Sequence, residues 1–235
     1  RNIKKTVLEL GGNDPFIILE DANLKKAVKT AVQSRMINSG QSCIAAKRFI
    51  VIDKIAPSVI KLLKKEIAAL KVGDPTDEAT DIGPMARKDL MEKLHYQVSQ
   101  SVKKGAKLIC GGEPVRGEGA FYQPTLLKNV KPGMPAFDDE TFGPVASVVI
   151  AEDCDHAIEL ANQSRYGLGA SIWTEDKERG TRLARQLQAG CVFVNEMVKS
   201  DPRMPFGGIK KSGYGRELSQ HALKEFVNIK SIWVN

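Results

Sequence analysis

Short apolar runs rich in β-branched residues alternate along this chain with longer amphipathic ones, and that alternation leaves few folds open. Thr6 to Leu10, Phe16 to Leu19, Arg48 to Ile52, Lys107 to Cys110, Val145 to Ile150, Ala170 to Thr174 and Val192 to Asn195 read as strands. Between them lie helical patterns. Leu24, Ala27, Val28, Ala31 and Val32 share one helical face, with Asp21 as a cap and Gly40 as the stop. Further helices are expected from Pro57 to Leu70, Ala86 to Lys104, Asp153 to Gln163 and Lys177 to Gln188. Strands separated by helices pair in parallel with helices on both faces, so the expected fold is α/β, a three-layer domain with a largely parallel sheet. From Gly111 to Pro144, and again from Met197 to Gly215, the pattern gives way to loops rich in glycine and proline. Ser231 to Val234 reads as a last strand with nothing after it to pair against.

With 235 residues, of which 42 % are hydrophobic and 27 % charged, the chain has the composition of a globular protein with a substantial core. No run approaches the roughly 18 apolar residues of a membrane span, which argues against a membrane partner. The formal charge of +7 raises the question of nucleic acid. The basic pairs, Lys4-Lys5, Lys25-Lys26, Lys64-Lys65, Lys103-Lys104 and Lys210-Lys211, are scattered and lack interleaved aromatics, so a solvated helix surface accounts for them and no nucleic-acid partner is expected. The four cysteines, Cys43, Cys110, Cys154 and Cys191, lie far apart without metal-ligand spacing. No metal site follows, reduced thiols and a cytoplasmic location are the expectation, and three of the four are expected in the core. The sequence opens Arg1-Asn2-Ile3-Lys4-Lys5, without an initiator methionine, and reads as part of a longer protein.

Four stretches could carry chemistry. "NSGQSC" (38 to 43) places a thiol behind a turn where main-chain N–H groups can meet a developing oxyanion or favour a thiolate; the alternative is a packed spacer. "LELGG" (8 to 12) ends an apolar strand with Glu9, a candidate base, and two glycines that would let a ligand approach the backbone. "DDETFGPV" (138 to 145) combines Glu140, able to accept from a ribose diol, with Phe142, able to pack on a flat ring. "MPFGGIKKSGYGRE" (204 to 217) matches neither the P-loop nor the dinucleotide glycine spacing and reads as a mobile pocket wall.

Taken together and in order, these stretches resemble the aldehyde dehydrogenase superfamily along essentially the whole chain, with "GCVFVNE" (190 to 196) completing the set. The resemblance implies the catalytic-domain fold of that family. Residues 1–11 would close the cofactor domain, 12–211 would form the catalytic domain, and 212–235 would return to the cofactor domain and end in an oligomerisation strand. It implies Cys43 as the nucleophile, Glu9 as the general base, and Leu10, Gly11, Glu140 and Phe142 as contacts of NAD or NADP. The implied reaction runs through a thiohemiacetal and a thioester on Cys43, which Glu9-activated water hydrolyses. One oxyanion donor would be the Cys43 N–H.

"AAKRFIV" (45 to 51) and "VKSDPRMPFGG" (198 to 208) look most like the succinate-semialdehyde branch. Arg203 and Ser200 would then bind the far carboxylate of the aldehyde, with Phe206 and Asn195 also at the substrate. There is one departure: related succinate-semialdehyde enzymes carry an arginine six residues before the cysteine, where this chain has Ile37. The resemblance further implies a homo-oligomer, dimer or tetramer, for the whole protein, and a piece of this length is expected to turn over little. A dehydrogenase for another aliphatic aldehyde and a non-catalytic scaffold remain as alternatives. Glu9 argues against acyl transfer to coenzyme A, which needs no such base.

Overall fold

A computed structural model describes residues 2–235. Seven strands form one sheet: β2 (Pro15–Ile18), β3 (Arg48–Ile52), β4 (Lys107–Cys110), β5 (Thr125–Lys128), β6 (Val145–Ala151), β7 (Gly169–Trp173) and β8 (Cys191–Val194), in the spatial order β4-β5-β6-β3-β2-β7-β8. All neighbours pair in parallel except β4, which runs antiparallel to β5 at one edge. The remaining strands, β1 (Leu8–Glu9) and β9 (Gly213–Tyr214), make a separate antiparallel pair, with Leu8 opposite Tyr214 and Glu9 opposite Gly213.

Both faces of the large sheet are covered, as expected of a parallel sheet whose central strands are largely apolar. Phe16, Ile18, Phe49 and Val51 point to one face, where they meet Val28, Ala31 and Val32 of α1 (Leu24–Met36) and Val59, Leu63 and Ile67 of α2 (Ala56–Ala68). Trp173 stacks on Phe16 in that layer, ring centroids 5.5 Å apart. The alternate residues Ile17, Ile50 and Ile52 face the other layer. It is built from α3 (Lys88–Lys103), α4 (Pro135–Asp138), α5 (Cys154–Asn162) and α6 (Lys177–Ala184). A short α7 (Ser219–Glu225) follows β9.

The three-layer expectation holds, and the elements differ from it in four places. β5 was hidden in the loop-rich stretch, because four residues between Pro124 and a following Asn129 give too short a signal. Helix α1 is capped by Asn23, whose side chain accepts from the Lys26 N–H at 3.2 Å. Asp21 instead accepts from the Thr174 hydroxyl and from the N–H groups of Glu175 and Asp176, tying the end of β7 to the end of β2. Ser231 to Val234 forms no strand, and Ile232, Trp233 and Val234 stand exposed; an isolated edge has no partner for its main-chain groups. Finally, none of the four cysteines is fully buried and all are free, which corrects the expectation of three core thiols.

Helix α1 ends at Met36, short of Gly40, and the chain then takes three consecutive left-handed residues, Asn38, Ser39 and Gly40. Asn38 and Ser39 hold this conformation with side chains, the Asn38 amide donating to Gln41 O at 3.0 Å and the Ser39 hydroxyl to Gly83 O at 3.1 Å. Gly40, at φ 77°, has no such latitude: a Cβ there would lie 2.2 Å from the Gly143 carbonyl oxygen. Gly40→Ala should therefore destabilise the fold by about 2 kcal/mol or more, combining backbone strain with a clash against main chain. The urea midpoint measures this, and an unchanged midpoint would show that the turn can re-form without glycine.

Candidate functional site

The site gathers where β2, β3, β6, β7 and β8 begin, so that Asp14, Lys47, Glu140, Gly167 and Cys191 come from five different approaches to one end of the sheet. Cys43 follows the left-handed stretch by three residues and is half-buried. It packs with Ile44, Cys191, Phe193 and Leu218 around a small cluster of Leu168, Val198 and Phe206. It is not sealed away. Burial raises its thiol pKa, and the Asp14 and Glu9 carboxylates raise it further. The Lys47 ammonium and the Ile44 N–H oppose them.

Glu9 is exposed, and its carboxylate is one of the charges that raise the pKa of the Cys43 thiol. Its position is set by main-chain pairing to the far end of the chain. The Leu10 N–H donates to Ser212 O at 3.1 Å, and the buried Ser212 hydroxyl donates to Gly11 O at 2.7 Å while accepting from the Gly167 N–H at 3.0 Å. The 204 to 217 loop is thus stitched to the Glu9 segment rather than hanging free. Phe206 and Glu217 exchange main-chain hydrogen bonds of 2.8 and 2.7 Å. Partial desolvation raises the pKa of Glu9, and the nearby Glu217 carboxylate adds to the rise.

Glu140 and Phe142 line one cleft of about 240 Å³ together with Leu94, Arg165 and Tyr166. The Glu140 carboxylate accepts from the Gly12 N–H at 3.0 Å and lies 3.6 Å from Lys47 Nζ. The two glycines have a different purpose from the one read in the sequence. A Cβ on Gly11 would lie 2.3 Å from the Glu140 carboxylate, and one on Gly12 would lie 2.5 Å from the Cys43 carbonyl oxygen. The space they leave is filled by the protein's own site residues. Leu10, beside them, is exposed.

Beneath the turn lies a set of buried charges that sequence reasoning missed. Asp14, Arg35, Lys47 and Arg48 are all at most 2 % exposed. Arg48 donates to the carbonyls of Asn13, Leu160 and Ala161 and lies over the Phe137 ring. Arg35 donates to Gly40 O. Burial raises the carboxyl of Asp14, against the pull of Lys47, the Gly169 N–H and Arg48. Only the "AAKR" run hints at any of this, since a lysine and an arginine entering a strand of otherwise apolar residues must find partners inside.

The residues expected around the substrate divide. Phe206 is buried in the cluster beside Cys43. Asn195 does not join the site. It follows β8, four residues beyond Cys191 and so about 13 Å further along the strand, and its amide is spent on Thr174, donating to Thr174 O at 2.7 Å and accepting from Thr174 N at 3.0 Å. Ser200 and Arg203 are exposed on the 197 to 205 loop. The Arg203 guanidinium is held by Asp201 at 2.6 and 2.9 Å.

Comparison with known proteins identifies the family of the chain. The Aldehyde dehydrogenase family profile matches residues 1–232. Succinate semialdehyde dehydrogenase [NAD(P)+] Sad of Escherichia coli is 52 % identical over 98 % of this chain and 50 % of its own length. A probable succinate-semialdehyde dehydrogenase [NADP(+)] of Synechocystis sp. is 53 % identical over 99 % of this chain and 51 % of its own. The crystal structure of succinic semialdehyde dehydrogenase from Streptococcus pyogenes in complex with NADP+ superposes with a TM-score of 0.95 at 40 % identity, over 98 % of this chain and 51 % of that one. The chain spans about half the length of the relatives it matches. By sequence profile, by identity and by fold, the chain belongs to the aldehyde dehydrogenase family.

Proposed function

We propose that this chain carries the nucleophile, the base and part of the nicotinamide site of an NAD(P)-dependent aldehyde dehydrogenase acting on succinate semialdehyde. The observation that carries the reading is the convergence of a half-exposed thiol on a strained turn with a carboxylate that acts on it electrostatically. A cleft walled by Glu140 and Phe142 is tied to both segments, since the Glu140 carboxylate accepts from the Gly12 N–H at 3.0 Å and lies 3.6 Å from Lys47 Nζ. A partly exposed carboxylate and an exposed ring in one cleft fit a ribose diol and a flat heterocycle, so Glu140 and Phe142 are the residues that would hold the nicotinamide end. The bound cofactor supplies the hydride acceptor. The names of the relatives support the substrate and the cofactor. The division into residues 1–11, 12–211 and 212–235 fits the separate pairing of β1 with β9 outside the large sheet. We assign the remaining cofactor contacts to the half of the relatives that this chain does not span, so the chain by itself should reduce the cofactor poorly.

In this scheme the Cys43 thiol gives up its proton to solvent water, and the thiolate sulfur bonds to the aldehyde carbon as the carbonyl π pair moves onto oxygen. The Cys43 N–H, which has no protein acceptor among the described residues, would meet the developing oxyanion. Oxidation leaves the acyl group on sulfur as a thioester. Glu9 then takes a proton from water, which attacks the thioester carbon and returns the carboxylate product and the free thiol. A scaffold without chemistry would have no use for both a half-buried thiol and a carboxylate of raised pKa.

Three outcomes test the reading in the full-length enzyme. Cys43→Ser should abolish turnover, while Glu9→Gln should keep a single burst of reduced cofactor and slow the following turnover by about 10²- to 10⁴-fold; equal loss of burst and turnover would remove Glu9 from the hydrolytic step. Because Glu9 works only when ionised, activity should fall as pH drops through a value above the ordinary 4.5, and Glu217→Gln should move that acid limb to lower pH. A limb indifferent to Glu217 would contradict the electrostatic account. Arg203→Ala should raise KM for succinate semialdehyde far more than for an uncharged aldehyde. The pairing of Arg203 with Asp201 favours a second reading, an uncharged aliphatic aldehyde as substrate, and equal KM changes for both compounds would support it.

A further inference from the structure

Lysine is seldom fully buried, yet the Lys47 side chain has no exposed surface. Its ammonium donates to Ser42 O at 3.0 Å, Cys43 O at 2.8 Å and Ala45 O at 3.0 Å, which uses all three of its donors on the turn that presents the thiol. At 3.6 Å lies the Glu140 carboxylate. Four charged or titratable groups face it: Arg35 from α1, Asp14 from the approach to β2, Glu140 from the loop before β6, and Cys43 from the turn itself. Burial and Arg35 lower the pKa of the ammonium, and the other three raise it.

We propose that Lys47 is the positioning residue of this site: its buried ammonium closes the Cys43 turn, binds that turn to Glu140, and offsets the charge of the thiolate. The proposal rests on Cys43 being the nucleophile. Three carbonyls alone could be satisfied by a neutral donor, whereas a thiolate and a carboxylate on either side call for a cation. Among the described residues, Lys47 is the one cation that lowers the pKa of the Cys43 thiol. Cys43 precedes a strand rather than a helix, so no helix N-terminus faces the sulfur, and the groups that favour the thiolate are Lys47 and the single Ile44 N–H. Through Glu140 the same ammonium ties the nucleophile to the wall of the nicotinamide cleft, so displacement of either end shifts the other.

The test is the pH dependence of Cys43 alkylation by iodoacetamide, resolved by peptide mass spectrometry, in the 235-residue chain and three variants. Lys47→Gln retains a hydrogen-bond donor without the charge, and Lys47→Met retains neither. Both should move the Cys43 midpoint upward by about one pH unit or more, tenfold less thiolate at a fixed pH below it. Lys47→Arg should stay near the parent, and Cys110 and Cys154 should not move in any of them. A Cys43 midpoint unchanged in folded Lys47→Gln would overturn the proposal. A second measurement needs no substitution: alkylation of Cys43 in the unaltered chain removes the thiolate, so the Lys47 amine, followed by ¹³Cε NMR, should titrate at lower pH afterwards, and an identical titration would also overturn it. Turnover surviving Cys43→Ser would instead remove the reading of Cys43, while a Lys47-insensitive midpoint leaves that reading standing.

Discussion

Three cations, Arg35, Lys47 and Arg48, lie fully buried at one end of the sheet. Burying an ion costs several kcal/mol unless close partners compensate it. Here the compensation comes mostly from main-chain carbonyls: Gly40 for Arg35, Ser42, Cys43 and Ala45 for Lys47, and Asn13, Leu160 and Ala161 for Arg48. A carbonyl cannot be moved without moving its chain. The cluster therefore dictates where the approach to β2, the thiol turn and the end of α5 must run. Asp14 and Glu140 supply the negative charge that is left over, and they add the loop before β6 to the same knot.

The site's location follows from that knot. It lies at the starts of the parallel strands, with the left-handed turn at its centre and the 204 to 217 loop closing over it through Ser212, Phe206 and Glu217. Strain at Asn38, Ser39 and Gly40 persists because the surroundings over-determine it: Gln41 accepts the Ala86 N–H on one side, and Gly143 presses against Gly40 on the other. The same close approach brings the turn against the "DETFGP" loop, so the proposed nucleophile and the proposed cofactor carboxylate share one rigid support. The relation of Glu9 to Cys43 is looser, since Glu9 is held by a two-residue strand pair and by hydrogen bonds to Ser212 alone.

What could be read in the sequence follows from what each residue touches. The large sheet was legible because both its faces are buried, which makes Phe16 to Leu19 and Arg48 to Ile52 continuous apolar runs. β5 and the unpaired tail were not, because a four-residue run and a lone edge owe their state to neighbours far along the chain. Cys43, Glu9, Glu140 and Phe142 stood out through motif order. Lys47 and Asp14 did not, since the default for a charged side chain is solvent and the partners of Lys47 are carbonyls of its own turn, which no periodicity marks. Asn195 came from the resemblance alone, and no strand pattern could show that its amide would be spent on Thr174. Gly11 and Gly12 were correctly read as making room, but the room is taken by Glu140 and by the Cys43 carbonyl.

Placing a carboxylate beside a thiol opposes thiolate formation, since Glu9 and Asp14 both raise the Cys43 pKa. In the proposed chemistry that opposition is confined to one stage. Before attack, sulfur must carry charge, and the ammonium of Lys47 with the Ile44 N–H offsets the two carboxylates. Once the acyl group is on sulfur, the thioester is neutral and no longer repels the charge on Glu9. The carboxylate is then freer to ionise at the stage where a base is required. Glu217 keeps its pKa raised throughout, which makes it a better proton acceptor than an isolated surface glutamate. In the proposed chemistry, then, covalent bond formation itself removes the conflict between the carboxylate and the thiol.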